Sequence, residues 1–117
     1  MKSHLTRGAG VLAAALLLAA MAHAATLLTA KNGMTLYVYD KDTGGVSNCY
    51  GFCADFWPPY LAKKGEKAMK DWSMVKRKDG KLQWAYDRKP LYFYAVDKKK
   101  GDAKGDGKDG VWHVVKE

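Results

Sequence analysis

Cys49 and Cys53 stand four positions apart, and His113 is the one histidine far downstream of them. In an exported chain a lone cysteine pair defaults to a disulfide. A Cys-x3-Cys spacing on a helical turn places both thiols on one face, within bridging distance. The same three residues also form a donor set suited to Cu(I), because soft thiolates and an imidazole favour that ion. Copper held by Cys49, Cys53 and His113 is therefore the alternative to a structural bridge. Zinc lacks an obvious fourth ligand. The Cys-x2-Cys-His attachment of c-type haem is absent, and no βαβ unit supports a thioredoxin-like exchange site.

Other chemistries find little footing. Asp102 to His113 is a poor calcium loop, since Lys104 and His113 fall where oxygen ligands are needed, and Lys98 to Gly110 reads instead as a flexible loop. There is no glycine-rich phosphate loop and no carboxylate pair in an apolar setting. Past residue 24 only Ser47 and Ser73 supply serine hydroxyls. The expectation is no enzymatic activity and no resident cofactor. Met34, Met69 and Met74 are read as packing or surface residues rather than thioether ligands.

The elements that position these residues begin after an export signal. Lys2 and Arg7 precede the apolar run Val11 to Ala20, and Ala22-His23-Ala24 is a small-x-small cleavage site, so residues 1–24 read as a signal peptide. The run is too short to anchor the chain across a bilayer, and no later stretch is apolar enough to span one. The 117-residue chain carries +8 net charge. Without Lys2 and Arg7 it keeps 18 basic against 12 acidic residues, a net +6. Export argues against nucleic acid as the partner, which leaves an anionic component of the cell envelope or another envelope protein. The expected location is periplasmic or secreted.

From Ala25 the apolar pattern has period two, which indicates strands. Asn32-Gly33 and Asp79-Gly80 are hairpin turns, the first joining Thr26–Lys31 to Met34–Tyr39, the second Trp72–Lys78 to Lys81–Tyr86. A further turn at Asp87-Arg88-Lys89 leads to Pro90 and a strand over Leu91 to Ala95. One short helix is expected over Cys49 to Trp57, capped by Ser47 or Asn48 and stopped by Pro58-Pro59. The fold class is mostly β, a small antiparallel domain.

Shifting the chain by 55 residues superposes Leu36 on Leu91, Tyr37 on Tyr92, Tyr39 on Tyr94, Asp42 on Asp97 and Trp57 on Trp112. The chain therefore reads as two copies of one unit, about residues 25–62 and 73–117, sharing a single core. The four tyrosines are expected to build or cover that core with hydroxyls reaching solvent, the alternative being an aromatic binding platform. Asp42 and Asp97 are expected to hydrogen-bond the turns that leave the two strands.

The segments Tyr37-Val-Tyr-Asp-Lys-Asp42 and Tyr92-Phe-Tyr-Ala-Val-Asp97 share a Tyr-x4-Asp pattern. With Asn48-Cys-Tyr-Gly-Phe-Cys-Ala-Asp-Phe-Trp-Pro-Pro59 and Gly110-Val-Trp-His-Val-Val115 they make the chain resemble the bacterial secreted-repeat proteins of unknown function, often lipoproteins. The resemblance implies fold and compartment, not chemistry. No cysteine sits just after the cleavage site, so the lipid attachment of many relatives is not expected here. The expected role is a non-catalytic binding or structural module, with the copper or thiol-redox protein as the alternative.

Overall fold

The computed structural model describes residues Thr26–Glu117, so the proposed signal peptide lies outside the described residues. Two antiparallel sheets carry the fold. Strand β1 (Tyr37–Tyr39) pairs with β5 (Trp112–Val114), Val38 lying opposite His113. Strands β2 (Trp72–Lys76), β3 (Leu82–Tyr86) and β4 (Lys89–Pro90) form the second sheet in that order. Between the sheets in sequence lies a single five-residue helix, α1 (Phe52–Phe56).

The glycine-containing turns form where their backbone chemistry requires. Gly80 has φ +87° and closes the β2–β3 hairpin. Asp87 and Arg88 both take positive φ in the tighter β3–β4 turn, a conformation that Asp tolerates better than most residues. The strand expected over Leu91–Ala95 is reduced to bridges at Tyr92, with Tyr37 on one side and Pro59 on the other. Pro58 and Pro59 have no N–H to donate, so this segment only accepts there, from the Phe93 N–H at Pro58, while bonds resume on either side between Tyr60 and Leu91 and between Ala95 and Phe56. The first hairpin likewise keeps its turn and the Thr29–Thr35 bridge, while regular strand is confined to Tyr37–Tyr39.

The expected helix starts three residues late. Ser47 turns its hydroxyl to Tyr92 and Arg77, and the Asn48 side chain donates to the Lys41 carbonyl, so neither caps a helix. The Cys49 carbonyl accepts from Arg77 Nη2 at 2.7 Å, and Gly51 at φ +58° breaks the chain direction just before α1.

The two units meet around Tyr37 and Tyr92. Each donates its backbone N–H to the other's carbonyl, at 2.8 and 2.9 Å. Each phenol then crosses to the other unit's aspartate: Tyr37 Oη donates to Asp97 Oδ2 at 2.6 Å, and Tyr92 Oη to Asp42 Oδ2 at 2.7 Å. The remaining carboxylate oxygens hold their own loops, Asp42 through the Asn48 N–H and Asp97 through the Lys104 N–H. Both tyrosine side chains are fully buried, so the expectation of solvent-reaching hydroxyls fails at this pair. An apolar interior admits a hydroxyl when it is bonded, and here an aspartate of the partner unit does so.

Aromatic packing follows the same pseudo-two-fold relation. Trp57 and Trp112 stack at 3.9 Å between centroids, Tyr39 stacks on Trp112 and Tyr94 on Trp57, both at 4.2 Å. Tyr37 and Tyr92 meet Trp57 and Trp112 edge-on, each at 5.2 Å. Such ring pairs each add about 0.5–1.5 kcal/mol beyond their buried area. A second cluster, Leu28, Ala30, Leu36, Trp84 and Leu91, lies beneath the three-stranded sheet.

Two outcomes follow. A Cβ at Gly105 would meet the Trp57 ring at 2.6 Å and the Tyr94 ring at 2.9 Å. Gly105→Ala is expected to lower stability by about 1–3 kcal/mol in urea denaturation, the range for overpacking a dense core. Burial, reinforced by Asp97 at Tyr37 and by Asp42 at Tyr92, pushes both phenols well above the ordinary tyrosine value of 10. The folded state thus holds these protons more tightly than the unfolded one, and its advantage is complete below pH 10 and shrinks as pH rises above it. The urea midpoint is expected to fall above pH 10, and to fall less steeply in Tyr37→Phe and Tyr92→Phe; equal slopes for all three proteins would contradict this.

Candidate functional site

Cys49 and Cys53 are joined by a disulfide with a Cα–Cα separation of 5.3 Å. The bridge links the fully buried Cys49, in the aromatic core, to Cys53 in α1. Its setting differs from the expected single helical face, since Cys49 precedes the helix. The helix itself buries no residue and has no side-chain cap. A helix of one and a half turns is unstable alone, so its position depends on the bridge and on backbone bonds from Trp57 to Cys53 and from Ala95 to Phe56.

The structure does not bring His113 to the cysteines. Trp112 points into the core, and successive strand residues face opposite sides, so His113 projects away from it. Its Nε2 lies 2.8 Å from Asp40 Oδ2, on a half-exposed surface beside Asp87 and Lys89. With both sulfurs in a disulfide, a copper centre of the expected composition would need the bridge opened and His113 released from Asp40. Among the described residues no group of three or more His, Cys, Asp or Glu side chains is placed to hold a metal ion. In the Lys98–Gly110 loop Asp106 accepts from the Val114 N–H of β5. Asp102 accepts from the Lys98 and Lys99 N–H groups, which hold its carboxyl below the usual range.

What the geometry does assemble is an aromatic groove of about 450 Å³. Phe52 and Phe56, at i and i+4 on α1, form one wall. Trp57, Tyr94 and Trp112 from the central stack form the floor, and Val96, Lys108 and Asp109 of the second unit form the opposite wall. Phe52 is 86% exposed and Phe56 57%, whereas the floor rings are each under 10%. The groove thus lies between the two units, with exposed side chains set over a buried base. Tyr39 and Tyr94 serve as packing within the stack, and no flat tyrosine platform forms.

Two contributors were not singled out from sequence. Phe52 and Phe56 bracket Cys53, and a phenylalanine pair at helical spacing beside a cysteine clip is a readable signal for an exposed aromatic face. Arg77 stands between Lys76 and Lys78, in a run that reads as solvated surface. It is buried, donating from Nη1 to Gln83 and Ser47 and from Nη2 to the Cys49 carbonyl, and lies 4.2 Å from the Tyr50 ring centroid. Through Ser47 and Tyr92 this network reaches Asp42, whose carboxyl burial raises while Tyr92, Asn48 and the Arg77 charge oppose the rise. No signal in one sequence marks which lysine or arginine of a basic turn folds inward.

A family model described as a secreted repeat of unknown function, Lipoprotein_15, matches residues 23–60 and 73–116. These two spans cover well over half of the chain, which therefore belongs to that family. No curated protein and no solved structure matches it.

Opening the disulfide isolates its contribution. Closing so short a loop stabilises by about 2 kcal/mol in the chain-entropy treatment. The Cys49→Ser/Cys53→Ser double variant is expected to lose that amount in urea denaturation. Amide exchange should accelerate over Phe52–Trp57 while the amides of Tyr37 and Tyr92 stay protected; uniform acceleration would mean that the bridge supports the whole core rather than α1.

Proposed function

From membership of a secreted-repeat family, we propose that this chain is an exported, non-catalytic binding module of the bacterial envelope, periplasmic or secreted, with the aromatic groove as its working surface. The observation that carries the reading is the pair Phe52 and Phe56, exposed to solvent over a floor of buried, stacked rings. Exposed aromatic side chains cost solvation, and a contiguous patch of them marks an interaction site. The buried polar groups, Tyr–Asp across the units continued through Ser47 to Arg77 and Gln83, bond one another within the fold, which supports a role in shape rather than in proton transfer. The family's description as secreted supports an extracytoplasmic setting.

The test is sedimentation of the purified secreted protein with washed envelope fragments, wall and membrane together. The wild type is expected to pellet with them. Phe52→Ser/Phe56→Ser should reduce the bound fraction at least tenfold, since two central aromatic contacts are worth more than about 1.4 kcal/mol. Equal partitioning of the two proteins would overturn the assignment of the groove.

A further inference from the structure

Resting on the binding-module reading, we infer that the groove accepts a neutral glycan, its sugar rings laid against Phe52 and Phe56 and its hydroxyl groups met by a polar rim. Charge is the discriminating observation. The chain is strongly basic, yet the charged groups that face the groove cancel. Lys108 and Asp109 line it. One cation and one anion line one apolar trough. The excess of lysine lies elsewhere: Lys63 and Lys67 line hollows beside Lys31 that share no residue with the groove. An anionic ligand would gain nothing at this trough that it would not gain at those lysines.

The composition of the groove completes the argument. A pyranose presents one face of C–H groups, which packs on an aromatic ring, and an equator of hydroxyls, each both donor and acceptor. The groove answers both features, with phenyl rings in the wall and an ammonium donor beside a carboxylate acceptor at the edge, Lys108 and Asp109. Few polar groups among many apolar ones is the usual make-up of a small-ligand cleft. The trough is open rather than enclosed, its lining drawn from α1 of the first unit and from Val96, Lys108 and Asp109 of the second, so a ligand can extend beyond it. An apolar protein surface would use the phenylalanines but leave Lys108 and Asp109 desolvated at its edge, a penalty that a hydroxyl-bearing ligand removes.

The probe is chitotetraose, a neutral N-acetylglucosamine tetramer, titrated into the isotopically labelled protein, with an acidic uronic tetramer as comparison. Amide shifts are expected at Phe52, Phe56, Val96 and Lys108, unchanged by 0.5 M salt, with affinity reduced at least tenfold in Phe52→Ser. Met69→Ser, at an exposed site outside the groove, should bind as the wild type does. If the uronic tetramer binds the groove more than tenfold tighter and loses affinity in salt, the neutral-glycan inference is wrong. It is equally wrong if Phe52-dependent self-association fills the groove instead. If chitotetraose leaves the spectrum unchanged while envelope fragments still retain the protein through Phe52 and Phe56, the glycan fails and the binding module stands. If retention is lost as well, both fail.

Discussion

The fold depends on an exchange in which neither unit satisfies its own tyrosine. Tyr37 and Tyr92 pair backbone to backbone, and each buried phenol is received by the aspartate of the opposite unit. A phenol in an apolar interior needs a partner, and each unit carries its acceptor five residues beyond its own tyrosine, where that tyrosine does not use it. The Tyr-x4-Asp spacing is thus a rule about two units rather than one. It fixes their relative register as firmly as a cross-strand ladder, because a slip at the Tyr37–Tyr92 bridge would strand both phenols together.

Symmetry at the centre frees the periphery to differ. Around Tyr92 the additional bond comes from Ser47, backed by Arg77; around Tyr37 it comes from the Gly105 backbone N–H. The first unit spends the segment after its aspartate on a disulfide and a helix, while the second fills the matching segment with a glycine-rich loop pressed against the Trp57 and Tyr94 rings. The groove exists because these two dissimilar segments face each other across an otherwise equivalent pair of stacked tryptophans. A chain of two identical units would have presented the same wall twice.

Much of this is legible in the sequence alone. Repeat spacing picked out Tyr37, Asp42, Trp57 and their counterparts because aromatic and acidic residues recur rarely by chance at one offset. Turn chemistry located the hairpins at Asn32-Gly33 and Asp79-Gly80. The Cys49–Cys53 bridge followed from compartment and spacing. What could not be read was partnership: that Asp97 serves Tyr37 rather than its own strand, that Arg77 turns inward, and that Ser47 is taken by Tyr92 instead of capping a helix. Each is a choice among side chains distant in sequence, made by tertiary packing after local propensity has been exhausted. The foreseen approach of His113 to the cysteines failed for a simpler reason, the alternation of sides along β5.

One feature at the margin of the fold bears on how it is put together. Thr26 and Leu28 are bonded to Glu117 and Val115, so the beginning and the end of the described chain lie side by side. The two units are joined instead by a mostly exposed lysine-rich connection, Lys63 to Lys70. Joining the adjacent ends and cutting the connection would yield a circular permutant in which the second unit is made first, with every cross-unit bond retained. Which half precedes the other is therefore a matter of gene order, not of architecture.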